Sequence, residues 1–236
     1  TTLLSDPPSK EDGEEPTIDD LYEHVLARIE EDIEEDYEVE AFKAIWASCD
    51  GLARDELLEL TGMSPVKWAE IQNILDENLF ESGGQITFGN QFIRKAVEDM
   101  HLPGDEDKRS AHRWLGEWFD KRKVTLDVAR ERVHQWREAG DLDRFRDCLL
   151  EQQVFQELYG HDKYALLGHW IELGEDVGEA YEKAYGKWTD REKLAENLAD
   201  FLWVAGSVGE FREKLCRREL EGKEKALGPD HPKTLK

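Results

Sequence analysis

Cysteine and methionine are scarce in this sequence of 236 residues, which contains three and two of them respectively. Cys49, Cys148 and Cys216 are far apart, odd in number, and each lies in an apolar helical pattern. Such spacing excludes a dense disulfide framework and a zinc site made of cysteine pairs. We expect three buried free thiols in a reducing compartment, and therefore a cytoplasmic protein.

The sequence also lacks a long apolar run and a signal peptide. No stretch approaches the roughly 20 apolar residues that a membrane span requires, and Asp6-Pro7-Pro8 interrupts the first residues. We therefore expect no membrane partner. Because the first residue is not Met and the chain stops at Lys236 within a repeated pattern, we also expect a piece of a longer protein.

Positive charge is in short supply. The chain has 31 Lys and Arg against 55 Asp and Glu, which gives a net charge of -24. Duplex nucleic acid repels a protein of this charge unless a basic patch is concentrated somewhere. The best basic run, Lys121-Arg122-Lys123, is short and is expected to follow a helix C-terminus, where cations are favoured. Nucleic acid is therefore not an expected partner.

Large side chains are plentiful by contrast. Eight Trp, nine Phe and six Tyr accompany 36% charged residues, a combination that fits long helices with solvated outer faces. Each Trp falls on an apolar stripe, so we interpret the set as core residues in preference to a ligand cage. The set is Trp46, Trp68, Trp114, Trp118, Trp136, Trp170, Trp188 and Trp203.

The N-terminal region begins with a linker, residues 1–17, that is rich in Pro, Gly and acid. A helix is predicted over 18–31, started by a capping box in which Thr17 and Asp20 pair. The acidic run at residues 30–40, EEDIEEDYEVE, could be taken for a divalent-cation cluster. It lacks the glycine and alternating ligands of a calcium loop, so a solvated connector is the favoured interpretation.

Residues 51–97 follow the pattern of a winged helix. Helices are predicted over 38–48 and 54–60, and a third begins at Ser64-Pro65. Two short strands around Ser82-Gly83-Gly84 then form the hairpin, or wing, and another helix follows. In DNA-reading winged helices the third helix enters the major groove. Here that helix carries one Lys and no Arg, which favours protein packing over base reading.

From Phe92 onward the periodicity predicts helix after helix with short connections. The predicted segments lie around 92–100, 107–123, 126–139, 142–150, 154–159, 166–173 and 177–188. Short connections make neighbouring helices antiparallel, which builds an α-solenoid or a bundle. The last two segments, 194–205 and 211–227, form a pair of tetratricopeptide (TPR) length, closed by the loop Gly228, Pro229, Asp230, His231 and Pro232.

Catalytic patterns are weak. The seven His are scattered, and His161 and His169 lack the spacing of a zinc hydrolase. Cys148 has no nearby His that would make it a nucleophile, and acidic pairs such as Glu34-Glu35 or Glu56 and Glu59 are ordinary on a helical surface. No G-x-x-x-x-G-K-S/T motif is present to hold nucleotide phosphates. The chain is therefore predicted not to be an enzyme, with no catalytic residue and no metal site.

Several segments of the sequence resemble those of known protein families. KEKALGPDHPKTL (Lys223–Leu235) resembles the inter-repeat loop of kinesin-light-chain-type and nephrocystin-type TPR repeats. AFKAIWASCDGLARDELLELTGMSPVKWAEIQNIL and ITFGNQFIRKAVEDMHLP resemble the winged helix that follows the NTPase core of STAND-class proteins with a NACHT module. RERVHQWREAGDLDRFRDCLLEQQVFQELY resembles the helical segment between that winged helix and the repeats.

The resemblance implies a NACHT-type NTPase upstream, with ATP and ADP bound there and no cofactor in this fragment. It also implies that the repeats bind a protein or peptide, that this region contacts the upstream NTPase domain, and that the full-length protein can form oligomers. Asn90 stands where such winged helices often carry a His that faces the nucleotide. An amide donates a hydrogen bond but cannot be charged. The repeat departs from the pattern too, with Phe211 and Glu219 at positions usually held by small residues.

The predicted fold class is all-α with a small β-hairpin wing, a winged helix followed by α-solenoid or TPR-like helical pairs. The predicted domains are a linker (1–17), a winged-helix domain with its preceding helix (18–104), a helical arm (105–189), and a first TPR-like repeat with the start of the next (190–236). The predicted function is the non-catalytic regulatory and interaction region of a STAND NTPase. The alternative is a stand-alone helical-repeat adaptor.

Overall fold

A computed structural model describes residues 17–32, 37–75, 78–207, 209–228 and 231. Within those ranges the chain forms twelve α-helices and one antiparallel sheet of three strands, so the all-α class with a small hairpin is confirmed. None of the described helices combines the length and the apolar composition that a membrane span requires.

Two compact units divide the chain. The first consists of the described residues of Thr1–Arg122 together with His134–Gly140, and the second of Lys123–Val133 together with those of Asp141–Lys236. The helix over Leu126–Glu138 therefore contributes to both units. The predicted domain boundary after residue 104 follows a different criterion, the family resemblance, and stays a prediction.

The first unit contains six complete helices and the sheet. Its elements are α1 (Ile18–Asp32), α2 (Tyr37–Ala47), β1 (Leu52–Ala53), α3 (Arg54–Thr61), α4 (Pro65–Leu75), β2 (Leu79–Ser82), β3 (Gln85–Phe88), α5 (Gln91–His101), α6 (Asp105–Phe119) and the last turn of α7 (Leu126–Glu138). The predicted capping box is confirmed, because Asp20 N donates to Thr17 Oγ1 at 3.2 Å and Thr17 N to Asp20 Oδ2 at 2.7 Å.

The sheet has the strand order β1-β3-β2, and both pairings are antiparallel. Gly83 and Gly84, both with positive φ, make the two-residue turn that joins β2 to β3. The first strand was not predicted. It begins directly after Gly51, whose φ is 98°. Gly51 lies so close to Ile86 and Thr87 that there is no room for a Cβ atom.

Apolar side chains from every helix of the first unit fill its core. Helix α1 packs on α5, and α2 packs on both α5 and α6. The largest side chains of this core with almost no exposed surface are Phe42, Trp68, Phe119 and Trp136. Gly116 lets α6 approach the Trp136 ring, since a Cβ atom there would lie 3.1 Å from two ring carbons.

All secondary-structure elements among the described residues of the second unit are helices. It consists of the first part of α7, α8 (Leu142–Leu150), α9 (Gln152–Leu173), α10 (Val177–Tyr185), α11 (Arg191–Val204) and α12 (Glu210–Leu227). The two helices predicted near 154–159 and 166–173 are joined as α9, with a break in helical geometry at Asp162. The Asp162 carboxylate accepts from the N–H groups of Tyr164 and Ala165, so it caps the second half.

An aromatic cluster forms the centre of the second unit. The Phe155 ring lies 5.3 Å from the rings of Tyr181 and Trp188 and 5.9 Å from that of Phe201. Tyr181 OH donates to Leu149 O at 3.0 Å, which satisfies a hydroxyl that has no access to solvent. The core interpretation of the Trp residues is thus correct for Trp188.

Three interpretations of burial were wrong. Cys49 and Cys216 are exposed, and only Cys148 is buried. Trp203 is 62% exposed, because it projects outward from α11, where the Arg212 guanidinium lies 4.4 Å from its ring centre. Ile171, one of the apolar residues from which the helix over 166–173 is predicted, is 71% exposed. Cys216, Trp203 and Ile171 each follow a buried residue of their helix, and sequence periodicity alone does not fix the width of a buried stripe. Cys49 lies after the end of α2.

Candidate interaction surfaces

Helices α11 and α12 form the pair that the sequence predicted as a repeat. They are joined by a short turn in which Gly206 has a φ of 70° and Ser207 N donates to Leu202 O at 2.9 Å. A connection of this length makes the two helices antiparallel. Leu198, Leu202 and Leu215 are buried, which holds the pair together through an apolar seam.

A groove of about 810 Å³ runs along the polar side of this pair. Lys223 contacts two carboxylates in it, Glu196 at 3.4 Å and Glu219 by a shorter hydrogen bond. The hydrogen bond to Glu219 is the main cause that raises the pKa of Lys223. Four more cations line the groove: Arg191, Lys193, Arg218 and Lys225. Four carboxylates line it as well: Asp190, Glu196, Glu219 and Glu221. The groove is therefore rich in charge of both signs and close to balanced, in a chain with a net charge of -24.

The predicted repeat loop begins at the end of α12. Gly228, with a φ of 91°, ends the helix, and its N–H donates to Glu224 O at 2.9 Å. His231 N donates to Gly228 O at 3.4 Å. Pro229, Asp230 and Pro232 lie outside the described residues. The prediction that a glycine ends this helix is confirmed.

Asn90, the predicted nucleotide-facing residue, lies in the first unit at the start of α5. Its Oδ1 accepts from the N–H groups of Phe92 and Ile93 at 3.0 and 3.1 Å, so it caps the helix. Its Nδ2 donates to Tyr22 OH at 3.2 Å and to Asn78 Oδ1 at 3.1 Å. Both ends of the amide are thus used within the unit, which ties α1 to the start of α5. That Asn90 faces a nucleotide stays a prediction.

A buried polar group in the first unit was not predicted. Gln135 Nε2 and His134 Nε2 both approach Ala47 O, at 2.9 and 3.2 Å, and Gln135 Oε1 lies 2.8 Å from His112 Nδ1. A carbonyl oxygen can only accept, so both Nε2 atoms donate, and Gln135 Oε1 accepts from His112. No spacing in the sequence indicates this group, because it joins α2, α6 and α7.

Burial favours the neutral form of both imidazoles in this group. Burial and, to a smaller extent, the neighbouring His112 lower the pKa of His134 to about 4. Burial also lowers the pKa of His112. Arg137 Nη2 lies 3.5 Å from His134 Nδ1, and a guanidinium only donates, so that nitrogen has to accept. The group is therefore a polar joint that requires an uncharged His134.

Catalytic chemistry has little support in the geometry. Among the described residues there is no group of three or more His, Cys, Asp or Glu side chains that could hold a metal ion. Cys148 lies buried beside the aromatic cluster, whereas His161 and His169 lie on opposite sides of the break in α9. The prediction that the chain is not an enzyme stays a prediction.

Comparison with known proteins gives relatives in several organisms. Human nephrocystin-3 is 27% identical over 248 aligned residues, which covers 91% of this chain and 18% of the relative. A TPR repeat-containing protein of Dictyostelium discoideum is 27% identical over 159 residues, covering 64% of this chain and 10% of the relative. Nephrocystin-3 of Xenopus laevis is 30% identical over 123 residues, covering 47% and 10%.

No family model matches the chain, and no solved structure matches it either. The chain spans less than a fifth of the length of the curated relatives it matches. These similarities support a TPR-like helical-repeat family and a region that takes part in protein interactions. That conclusion agrees with the helical pair α11–α12.

Proposed function

We propose that this chain is the non-catalytic regulatory and interaction region of a STAND-class signalling NTPase with a NACHT module. The observation that carries the proposal is the similarity to nephrocystin-3 over 91% of the chain, which is long enough to include both units. In this proposal the nucleotide is bound upstream, and the helical pair at the other end of the chain binds a protein or peptide. The protein acts in the cytoplasm.

We assign the first unit as a winged helix. Three features support the assignment: the short helices α3 and α4, the hairpin β2–β3 that follows them, and the third strand β1 paired to β3. On α4, the single cation among the described residues, Lys67, lies 3.5 Å from Glu70, so this helix has no net positive charge to attract a phosphate backbone. A protein-facing winged helix fits this charge better than a DNA reader.

The groove of α11 and α12 is the proposed partner site on the repeat. Its five cations and four carboxylates suit polar contacts with a polypeptide segment that carries charges of both signs. The first unit is proposed to contact the NTPase domain, and Asn90 to lie at that contact. Assembly of the full-length protein into oligomers belongs to the same proposal.

The experiment uses the full-length protein. Its reading frame upstream of Thr1 should encode a P-loop, and the purified protein should release a fluorescent ADP analogue at a measurable rate. Asn90→Asp keeps the helix cap but removes the amide donor and adds a charge, so we expect the release rate to change several-fold. Asn73→Asp is the matched control, because Asn73 is exposed on α4. A full-length protein without a P-loop would overturn the proposal.

The second candidate is a stand-alone helical-repeat adaptor without an NTPase. The observation that favours it is the α11–α12 pair itself, whose groove is complete without any nucleotide. The same full-length sequence distinguishes the two candidates. Absence of a P-loop, together with partner binding on the repeats, would support the adaptor.

A further inference from the structure

Helix α9 is interrupted at one residue, and the interruption has no covalent cause. Asp162 has a φ of -155° and a ψ of 100°, an extended conformation inside a helix of 22 residues. The segment Gln152–Leu173 contains no proline, so every residue in it can adopt helical angles. Gly160, two residues before the break, lowers the helix propensity but does not forbid a helix. The reason for the break therefore lies in the side chains and their surroundings.

The two halves of α9 pack on α10 at the same residue. The ring of Tyr181 lies 5.3 Å from the Phe155 ring, before the break, and 5.2 Å from the Trp170 ring, after it. Trp170 Nε1 also donates to Tyr181 OH at 3.3 Å. Because Tyr181 is fully buried, these contacts hold both halves of α9 in one core.

Asp200 of α11 binds both halves in the same way. Its Oδ2 accepts from Tyr159 OH at 2.9 Å, before the break, and from Lys163 Nζ at 2.6 Å, after it. Tyr159 and Lys163 are four residues apart, so a continuous helix would also present both side chains on one face. Asp200 can therefore bind α9 whether the helix is broken or continuous.

The break changes the surroundings of Asp162 itself. Leu158, Asp162, Leu166 and Trp170 follow one another at intervals of four residues, which would place them on one face of a continuous helix. The other three residues are buried, whereas Asp162 is exposed. An uninterrupted α9 would therefore bury the Asp162 carboxylate in an apolar stripe, which is unfavourable for an ionised group.

The broken helix avoids this burial and uses the carboxylate. Asp162 Oδ1 accepts from Tyr164 N at 2.8 Å and from Ala165 N at 3.2 Å, so it caps the second half of α9. In a continuous helix these two N–H groups would donate to the carbonyl oxygens of Gly160 and His161 instead. The two arrangements thus exchange a side-chain cap for backbone hydrogen bonds, and the charge of Asp162 decides between them.

We propose that α9 is a two-state hinge in which the negative charge of Asp162 selects the broken helix. Without that charge, α9 closes into one continuous helix, while Tyr181 and Asp200 remain in contact with both halves. The hinge lies within the second unit and gives α9 two conformations. The inference goes beyond the proposed function and requires neither an upstream NTPase nor an identified partner.

Asp162→Leu tests the proposal by completing the apolar stripe. We expect a continuous helix, in which hydrogen exchange of the Tyr164 and Ala165 N–H groups slows about tenfold, because backbone hydrogen bonds replace the cap. Asp162→Ala removes the same charge with the best helix former and should slow the exchange of both groups as well. NMR on the 236-residue chain measures these rates, and a melting curve verifies that each variant is folded.

Asp141→Leu is the matched control. Asp141 caps α8 by accepting from Arg144 N at 3.0 Å, and Gly140 before it has a φ of 70°, which ends the preceding helix. At this site we expect only the loss of a cap, with exchange of the Arg144 N–H about fivefold faster. Opposite changes at the two sites distinguish a hinge from an ordinary cap.

Spin labels on the two halves measure the conformation of α9 directly. Glu157→Cys and Glu172→Cys place them at exposed positions, after Cys49 and Cys216, the exposed native thiols, are replaced by Ser. A continuous helix would separate the two labelled Cα atoms by about 22 Å. Pulsed electron paramagnetic resonance should show the label distance shifting to match that separation in Asp162→Leu and staying unchanged in Asp141→Leu.

The contrary outcomes are equally specific. Faster exchange of the Tyr164 and Ala165 N–H groups in Asp162→Leu would show an ordinary cap and overturn the proposal. A label distance in Asp162→Leu equal to that of the labelled chain with Asp162 would overturn it too. The P-loop test is independent of these results, because the hinge is formed entirely by residues of the second unit.

Discussion

Single residues decide how several elements of the first unit are joined, and Asn90 is the best example. It caps α5 with its oxygen and binds Tyr22 and Asn78 with its nitrogen. Asn90→Ala is expected to lower the free energy of unfolding by about 1–2 kcal/mol, the upper half of the range for a lost cap. Urea unfolding followed by Trp fluorescence measures the change.

Asn90→Asp separates the two functions of this side chain. Asp is as good an N-cap as Asn, so the cap is retained while the donor to Asn78 is lost. We expect Asn90→Asp to lower the free energy of unfolding clearly less than Asn90→Ala does. Equal losses would mean that the cap contributes little and that the contacts to α1 and Asn78 hold the residue in place.

The histidine joint predicts a dependence of stability on pH. The pKa of His134 is about 4 in the folded protein and about 6.5 when unfolded, so the unfolded state binds the proton more tightly. The stabilisation of the folded protein by neutral His134 is therefore fully present above pH 6.5 and is lost as the pH falls toward 4. Between pH 7.5 and 5 the loss from this residue is about 2 kcal/mol.

Measurement of urea midpoints at both pH values tests this dependence. His134→Gln keeps a donor to Ala47 O but cannot be protonated, so its stability should fall less over the same interval. His112, Arg94, Arg137 and Glu138 also influence the joint and remain in the variant, which isolates the imidazole of His134. Identical pH profiles for the two proteins would assign the dependence to other groups.

Elements are the scale at which the sequence was most informative. Helical periodicity and capping residues predicted α1 and α8 to within one residue and located the start of α4, because those signals are local. The strand β1 escaped prediction, since two residues have no periodicity and the strand exists only through its pairing with β3. The joint of His112, Gln135 and His134 escaped for the same reason: its members are brought together by packing, which single-sequence patterns do not encode.

Gly51 tests how β1 is held. Gly51→Ala would place a Cβ atom 2.6 Å from Thr87 Cγ2 and 2.7 Å from Ile86 O at a φ of 98°. Gly84→Ala is the matched control, because its φ is 83° but no atom lies within 4 Å. We expect a loss of about 1 kcal/mol for the control and at least about twice that for Gly51→Ala, measured by thermal and urea unfolding. Equal losses would attribute the whole effect to backbone conformation.

Tyr181 tests how the helices of the second unit are joined. Tyr181→Phe removes the hydroxyl that accepts from Trp170 Nε1 at 3.3 Å and donates to Leu149 O at 3.0 Å. Leaving these two buried groups without their partner is expected to cost about 1–3 kcal/mol of unfolding free energy. Tyr164→Phe, at a site that is 66% exposed, should change it by less than about 0.5 kcal/mol. An unchanged free energy of unfolding in Tyr181→Phe would show that the aromatic ring, and not the hydroxyl, stabilises the second unit.

At the scale of the whole molecule, net charge is the strongest constraint on partners. With a charge of -24, the chain is expected to bind duplex DNA no more tightly than about 100 μM at physiological salt, the weak end of non-specific binding. Anisotropy of a labelled duplex at 50 and 200 mM salt measures this. Tight binding that weakens steeply with salt would contradict the protein-facing interpretation of the first unit.

The ribosome synthesises a chain from its N-terminus, and the two units of this chain are not completed one after the other. Residues 123–133, which belong to the second unit, emerge before residues 134–140, which complete the first. Until they emerge, Ala47 O lacks Gln135 and His134, and Gly116 faces no Trp136 ring. The first unit therefore cannot finish folding when its long N-terminal part is complete, and a nascent chain stalled near residue 122 should be far more sensitive to protease than one stalled well beyond residue 140.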